Sequence, residues 1–257
     1  MKFFFMSGFM RSGSTLLSSI LSQNKNLLVT PHSNTSIMME SIIKNRYDSF
    51  DLMNDRSVDN VLNQFLPNFY HDKNVDYVLE RSNSWSSPDS IDIIRKYIDE
   101  DFKMIFLKRD VLEILTSLCV LCDHYPGNEI DCQIRNPEES YLSLNDLRCD
   151  IFMQSHSNEF GIPYRNLHYI QNNFKDNILL IDYNDLVRKP EVEVSNIYDF
   201  LQIPRFNHRF VDIDNYSYEN KSIQWDLYKN RRNIKKKSKK PSEVLSSLTI
   251  EKYKNLL

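Results

Sequence analysis

Residues 3–23 read FFFMSGFMRSGSTLLSSILSQ, and this stretch decides the fold. The apolar run Lys2–Met6 predicts a buried strand, and Leu16, Leu17, Ile20 and Leu21 recur at helical spacing, which predicts a helix beginning near Ser14. Between them, Gly8 to Thr15 has the spacing G-x-x-x-x-G followed by two hydroxyl residues. In such a loop, backbone N–H groups and the positive end of a helix dipole converge on an anion. The chain has only four glycines (Gly8, Gly13, Gly127, Gly161), and two of them hold the loop's two fixed positions. A nucleoside triphosphatase requires lysine at position 14 to reach the β- and γ-phosphates. Here that residue is Ser14, and the cation lies inside the loop as Arg11. The loop is expected to hold a phosphate without hydrolysing ATP or GTP.

The bulk numbers narrow the class. A chain of 257 residues, 41% hydrophobic, fits a single α/β domain over 1–257 with insertions. A net charge of −3 gives no global electrostatic case for nucleic acid or an anionic membrane as partner. No apolar run approaches the roughly 18–20 residues that span a bilayer, and the first residues are too short for a signal peptide. A cytoplasmic protein is therefore expected. Cys119, Cys122, His124 and Cys132 can be written as a metal pattern, C-x2-C-x-H-x7-C. Cys119 and Cys122 also sit at helical spacing inside the apolar Val111–Cys122, where buried small hydrophobes are expected, and no metal is assigned.

Along the chain, strands are expected at Leu27–Thr30, Asp76–Glu80, Phe102–Leu107 and Asn177–Ile181. Thr35 is expected to cap a helix with Ile37, Met38, Ile42 and Ile43 inward. Ser57–Asn68 reads as one amphipathic helix with Val58, Val61, Leu62 and Phe65 inward. Ser87-Pro88 is a strong helix start, and helices are also expected at Val111–Cys122, 138–156, Glu191–Leu201 and within Ser242–Leu257. Strands alternating with helices argue for a P-loop-like, three-layer fold with a central parallel sheet flanked by helices. Residues 32–75 and 123–165 read as insertions that form a lid or acceptor surface. Between Lys221 and Lys240, nine basic residues stand against Asp226, a local charge near +8; charge runs of this kind are usually solvated.

A second anion point follows the third long apolar run. Arg109 stands at the C-terminal end of a predicted parallel strand, the face at which α/β proteins bind ligands. Ser117 lies two turns into the next helix. Two anion points on one face suit a ligand with phosphates at two ends.

Phe9-Met-Arg-Ser-Gly-Ser-Thr-Leu16 resembles the 5′-phosphosulfate loop, P-R-S-G-[ST]-T, of sulfotransferases that use 3′-phosphoadenosine 5′-phosphosulfate (PAPS), with Met10 in place of the usual proline. Arg109 and Ser117 match that family's 3′-phosphate pair, an arginine and a serine eight residues on, although Val111 replaces a common proline. Asp182-Tyr-Asn-Asp-Leu-Val-Arg-Lys-Pro190 is similar to the family's Y-E-D-L-x-x-x-P segment, with Asn184 for the usual glutamate; a strand followed by a capped helix explains it equally well. The resemblance implies that Arg11, Ser12, Gly13, Ser14, Thr15 and Leu16 cradle the 5′-phosphate and the sulfuryl group. It places Arg109 and Ser117 at the 3′-phosphate and Tyr183 near the adenosine. It also implies a C-terminal basic loop over the 3′-phosphate, with Arg231 and Arg232 as candidates.

The implied reaction transfers a sulfuryl group to a hydroxyl or amine and releases 3′,5′-adenosine bisphosphate (PAP), with no metal. Arg11 would hold the sulfuryl oxygens, and Arg81 resembles in position the cation that assists the leaving phosphate. The general base is open among His32, Glu80 and Glu40, with Glu80 also readable as a partner of Arg81. The acceptor, whether a small metabolite, a carbohydrate or a protein tyrosine, cannot be read from the composition of the insertions. A P-loop nucleotide kinase or phosphotransferase is the competing enzyme class, opposed by Ser14 and by Lys108-Arg109 where a metal-binding aspartate would follow the strand. A non-catalytic nucleotide-binding module is the other alternative.

Overall fold

Short apolar runs bounded by turn residues become five strands: β1 Lys2–Gly8, β2 Leu27–Val29, β3 Tyr77–Arg81, β4 Met104–Lys108 and β5 Ile178–Asp182. The computed structural model describes residues 1–48, 56–135, 140–154, 161–213, 234 and 239–256. All pairings are parallel, in the order β2-β3-β1-β4-β5. Strand alternation sends β1 side chains to both faces. Phe3 and Phe5 join Val78, Met104 and Phe106 in one core, while Phe4 and Met6 join Leu79, Ile105, Leu107 and Ile181 in the other. Burial on both faces explains why these strands read as continuous apolar runs rather than alternating ones.

Between β1 and β2 lies α1 Ser14–Leu21; between β2 and β3 lie α2 Thr35–Asp48, α3 Arg56–Asn63 and α4 Phe65–Phe69. A short 3-10 turn Asn83–Ser86 and α5 Pro88–Tyr97 lead to β4, followed by α6 Val111–His124, α7 Leu144–Gln154 and α8 Gly161–Asn173. After β5 come α9 Tyr183–Arg188 and α10 Pro190–Leu201, and α11 Ser247–Tyr253 closes the described chain. Their starts follow local chemistry. Ser87 caps α5 at the Ser90 N–H with Pro88 in the first turn, Asp110 caps α6 at Glu113, and Asp182 caps α9 at Asn184.

Four expectations are corrected. Residues 57–68 form two helices, because Pro67 lacks an N–H for the Asn63 carbonyl and its ring crowds that position. Ile37 and Met38 are not inward: they are about half exposed, and Thr35, Ser36 and Met39 form the buried side of α2. Val61 is likewise exposed on α3. Thr35 is the first residue of α2 rather than its cap, and the Ser33 hydroxyl accepts from the Thr35 N–H at 3.2 Å. In the stretch 138–156, described helix covers Leu144–Gln154, opened by Ser143 and Asp146 bonding reciprocally through side chain and backbone. Helix α8 was not anticipated.

The insertions are held by buried charge. Arg148 on α7, almost fully buried, meets Asp131 through two guanidinium nitrogens at 2.7 and 2.9 Å and Asp123 at 2.6 Å, which fastens the segment after α6. Asp146 accepts from Ser143, Ser246 and Thr249, docking α11 onto α7. Burial works against its ionisation, but these hydroxyl bonds keep its carboxyl below the usual range. On the other side, Asp59 of α3 joins Arg46 of α2 at 2.7 Å and Tyr97 of α5 at 2.8 Å.

The Arg46 and Tyr97 hydrogen bonds lower the Asp59 carboxyl to about 2. A folded pKa below the unfolded value, roughly 3.9, gives stability that is present above about pH 4 and lost as pH falls toward the folded pKa. Asp59→Asn is expected to be less stable than wild type at pH 7 and to converge with it near pH 2. Thermal unfolding of both proteins across that range measures the difference.

Candidate active site

The connection after β1 runs toward β2, whereas the connection after β4 runs toward β5, so the strand order reverses between β1 and β4. A crevice at the C-terminal ends of the strands opens at such a reversal. Gly8 closes the sheet there: the Phe9 N–H donates to the Leu107 carbonyl at 2.9 Å. A Cβ on Gly8 would lie 2.4 Å from that same oxygen, at a φ of 146°. The loop then turns tightly, with the Ser12 hydroxyl donating to the Phe9 carbonyl at 2.6 Å. Gly13, with φ 92°, begins α1, and no side chain caps that helix. A Cβ at Gly13 would stand 2.8 Å from the Tyr183 ring. Both fixed glycines are thus required by close approach as well as by backbone conformation.

Arg11 adopts φ 63°, a left-handed conformation uncommon for a residue with a side chain. Two contacts hold it. Its Nε donates to the Ser117 hydroxyl at 3.0 Å, and its carbonyl accepts from Arg109 Nη1 at 2.8 Å. Arg109 is itself buried, with Nε donating to Glu113 at 3.2 Å and the guanidinium lying 4.0 Å from the Tyr183 ring centroid. Asn184 donates to the same Glu113 oxygen at 3.4 Å. Arg11, Arg109, Ser117 and Tyr183 are therefore one hydrogen-bonded and stacked unit across the β1/β4 crevice. Tyr183 is buried beneath Gly13 and Arg109 and acts as their support. Sequence reasoning missed Glu113, although its place four residues after Arg109 on α6 was the available signal.

On the β3 side, Arg81 Nη2 donates to the Thr15 hydroxyl at 3.4 Å, so Arg81 faces α1. Glu80, the preceding residue, points to the opposite face of the sheet. It is not a partner of Arg81, because successive strand side chains alternate. Its carboxylate is fully buried and accepts from the hydroxyls of Thr35, at 2.9 Å, and Tyr70. Glu40 accepts from Ser87 at 3.4 Å and from Ser90, which places it at the start of α5. His32 is exposed, between Thr30, whose N–H donates to Leu79, and Ser33, whose N–H donates to Arg81. Of the three base candidates, His32 alone is exposed at the sheet's C-terminal edge. Ser14, Thr15 and Leu16 open α1 half-buried, and Arg231 and Arg232 lie outside the described residues.

Among the described residues no cluster of histidine, cysteine and carboxylate side chains is arranged for a metal. Cys119 and Cys149 are buried with sulfurs 3.7 Å apart. The Cys119 contact and burial raise the Cys149 thiol's pKa, and burial pushes Cys122 up to about 11. Both thiols stay protonated at neutral pH. No helix among the described residues is long and apolar enough to cross a membrane.

A parallel sheet ending in a glycine-spaced loop, with an arginine in the loop and no lysine after it, defines a P-loop-like α/β fold. The chain belongs to the sulfotransferase domain family, whose sequence model matches residues 2–257. It superposes on the sulfotransferase domain from the curacin biosynthetic pathway with a TM-score of 0.59 and 14% identity, covering 97% of this chain and 95% of that one. The sulfotransferase domain of the Synechococcus PCC 7002 olefin synthase gives 0.50 at 18% identity, covering 95% and 85%. A sulfotransferase from Alicyclobacillus acidocaldarius gives 0.54 at 13% identity, covering 81% and 84%. Among curated proteins none matches this chain.

Gly13→Ala is expected to lower stability by about 1–3 kcal/mol, since alanine must adopt a left-handed conformation against the Tyr183 ring. Chemical denaturation measures the loss, and the intact β1/β4 pairing should leave far-UV circular dichroism unchanged.

Proposed function

We propose that this protein transfers a sulfuryl group from PAPS to a hydroxyl or amine of a small-molecule or carbohydrate acceptor and releases PAP. The observation that carries this reading is the linkage of Arg11 to both Ser117 and Arg109. The loop that would hold the 5′-phosphosulfate and the pair that would hold the 3′-phosphate are thereby built as one unit. Ser14, in place of the triphosphatase lysine, favours this donor over ATP. The family membership supports the transferase chemistry, and the donor and acceptor are our assignment.

In this mechanism the acceptor hydroxyl attacks sulfur in line with the departing phosphate oxygen. His32 takes the hydroxyl proton as the new S–O bond forms. The bond between sulfur and the bridging oxygen breaks, and negative charge moves onto the 5′-phosphate of PAP. The loop amides at the start of α1, Arg11 and Arg81 stabilise that charge where it develops. Imidazole suits the base role because its ordinary pKa is near ~6.5, so a fraction is neutral at neutral pH. Arg231 and Arg232 are assigned to the 3′-phosphate side with Arg109, and Tyr183 to the adenosine side through its support of Arg109. Four free cysteines fit a reducing, cytoplasmic setting.

Calorimetry with PAP, beside ATP and Mg²⁺, tests the donor assignment. PAP is expected to bind at micromolar affinity or tighter with no ATP response; ATP binding with an indifferent bisphosphate would overturn it. Each of Arg11→Ala and Arg109→Ala should weaken PAP binding by about 10- to 100-fold, the range for a hydrogen bond to a charged group. Unchanged affinity in Arg109→Ala would remove the 3′-phosphate assignment. His32→Ala should keep PAP affinity and lower turnover by about 10²–10⁴-fold.

A further inference from the structure

Glu80 is a buried carboxylate whose two oxygens accept from hydroxyls rather than from a cation. A fully buried polar side chain is costly unless its hydrogen bonds are satisfied, and here both oxygens are. Its two donors come from opposite ends of the same insertion. Thr35 is the first residue of α2, and Tyr70 follows the last residue of α4. The Thr35 hydroxyl also lies 2.7 Å from the Ser33 hydroxyl, and the Ser33 N–H donates 2.8 Å to the Arg81 carbonyl. A continuous set of bonds therefore runs from Glu80 through Thr35 and Ser33 to the backbone that carries His32 and Arg81.

We propose that Glu80 is a positioning residue: from beneath the site it pins the start of α2 and the end of α4, and so sets where His32 stands at the sheet edge. It does not touch the acceptor. Its position on the face of β3 opposite Arg81 lets one strand supply both a cation to the α1 side and an anchor to the insertion side. The functional weight of this role rests on the sulfotransferase reading, because only there is His32 the proton acceptor.

Full-length Glu80→Ala, Glu80→Gln and Thr35→Val test it by amide hydrogen exchange, with PAP binding measured in parallel. Glu80→Ala should raise exchange about tenfold or more in both 30–39 and 65–72, as expected for loss of local hydrogen bonds, while β1 and β4 stay protected. Thr35→Val should loosen 30–39 and leave 65–72 unchanged. Glu80→Gln keeps the shape and one acceptor oxygen, and its amide can donate to Tyr70; it should return both segments to within about threefold of wild type. PAP affinity should stay within about threefold throughout, because the loop, Arg109 and Ser117 are carried by other elements and Arg81 leaves β3 on the face opposite Glu80, toward Thr15. Exchange in Glu80→Gln equal to that in Glu80→Ala would overturn the proposal. So would wild-type protection of 30–39 in both Thr35→Val and Glu80→Gln should Glu80→Ala fail to fold. A wild type that does not bind PAP yet shows this exchange pattern would overturn the donor assignment and leave the positioning role standing.

Discussion

Arg109 is the constraint on which the site depends. One guanidinium donates to the Arg11 carbonyl, pairs with Glu113 and lies over Tyr183. The first contact steadies a left-handed residue in the phosphate loop, the second ties β4 to its own helix, and the third reaches β5. Arginine suits this place because its planar fork can donate in two directions while its face packs on an aromatic ring. Lysine would supply the charge without that geometry. In the proposed reading, an anion arriving in the crevice would meet cations already ordered by the protein, so less side-chain freedom would be lost on binding.

The sheet divides the labour of the site along its C-terminal edge. The strands β1, β4 and β5 present the phosphate loop, Arg109 and Tyr183, whose mutual contacts are close. The strands β2 and β3 present His32 and Arg81 on backbone bonded through Thr30, Ser33 and Thr35. The α2–α4 insertion hangs from this second half. Its exposed Ile37 and Met38 contrast with the filled interior beneath them.

Much of this was legible because local rules and tertiary structure agree at the loop. The glycines at 8 and 13 and the apolar runs have a direct physical meaning, whereas the eight-residue interval from Arg109 to Ser117 was legible only through the family resemblance. Helix α2 was harder, because Ile37, Met38, Met39, Ile42 and Ile43 crowd its circumference and periodicity alone does not choose a face. Helix α8 was hidden by Gly161 and Pro163 at its start, residues that read as loop, and by its many polar side chains. The base was open among His32, Glu80 and Glu40, with Glu80 also readable as a partner of Arg81. Burial separates them: Glu80 lies below the sheet edge, Glu40 meets the start of α5, and His32 is exposed. Nothing in the sequence announces that Thr35 and Tyr70 meet at Glu80.

The central place of β1 has a consequence for synthesis. Lys2 pairs with Tyr77 and Phe5 with Met104, so β1 has neither of its partners until much later chain has emerged. Once Arg81 is made, β3 can pair one edge of β1, but the edge that meets β4 stays unpaired until residues 104–108 are available. Long-range parallel pairing of this kind is slow, and an exposed aromatic strand invites association between nascent chains. The strand that leads into the glycine loop is thus also one whose pairing waits on distant sequence.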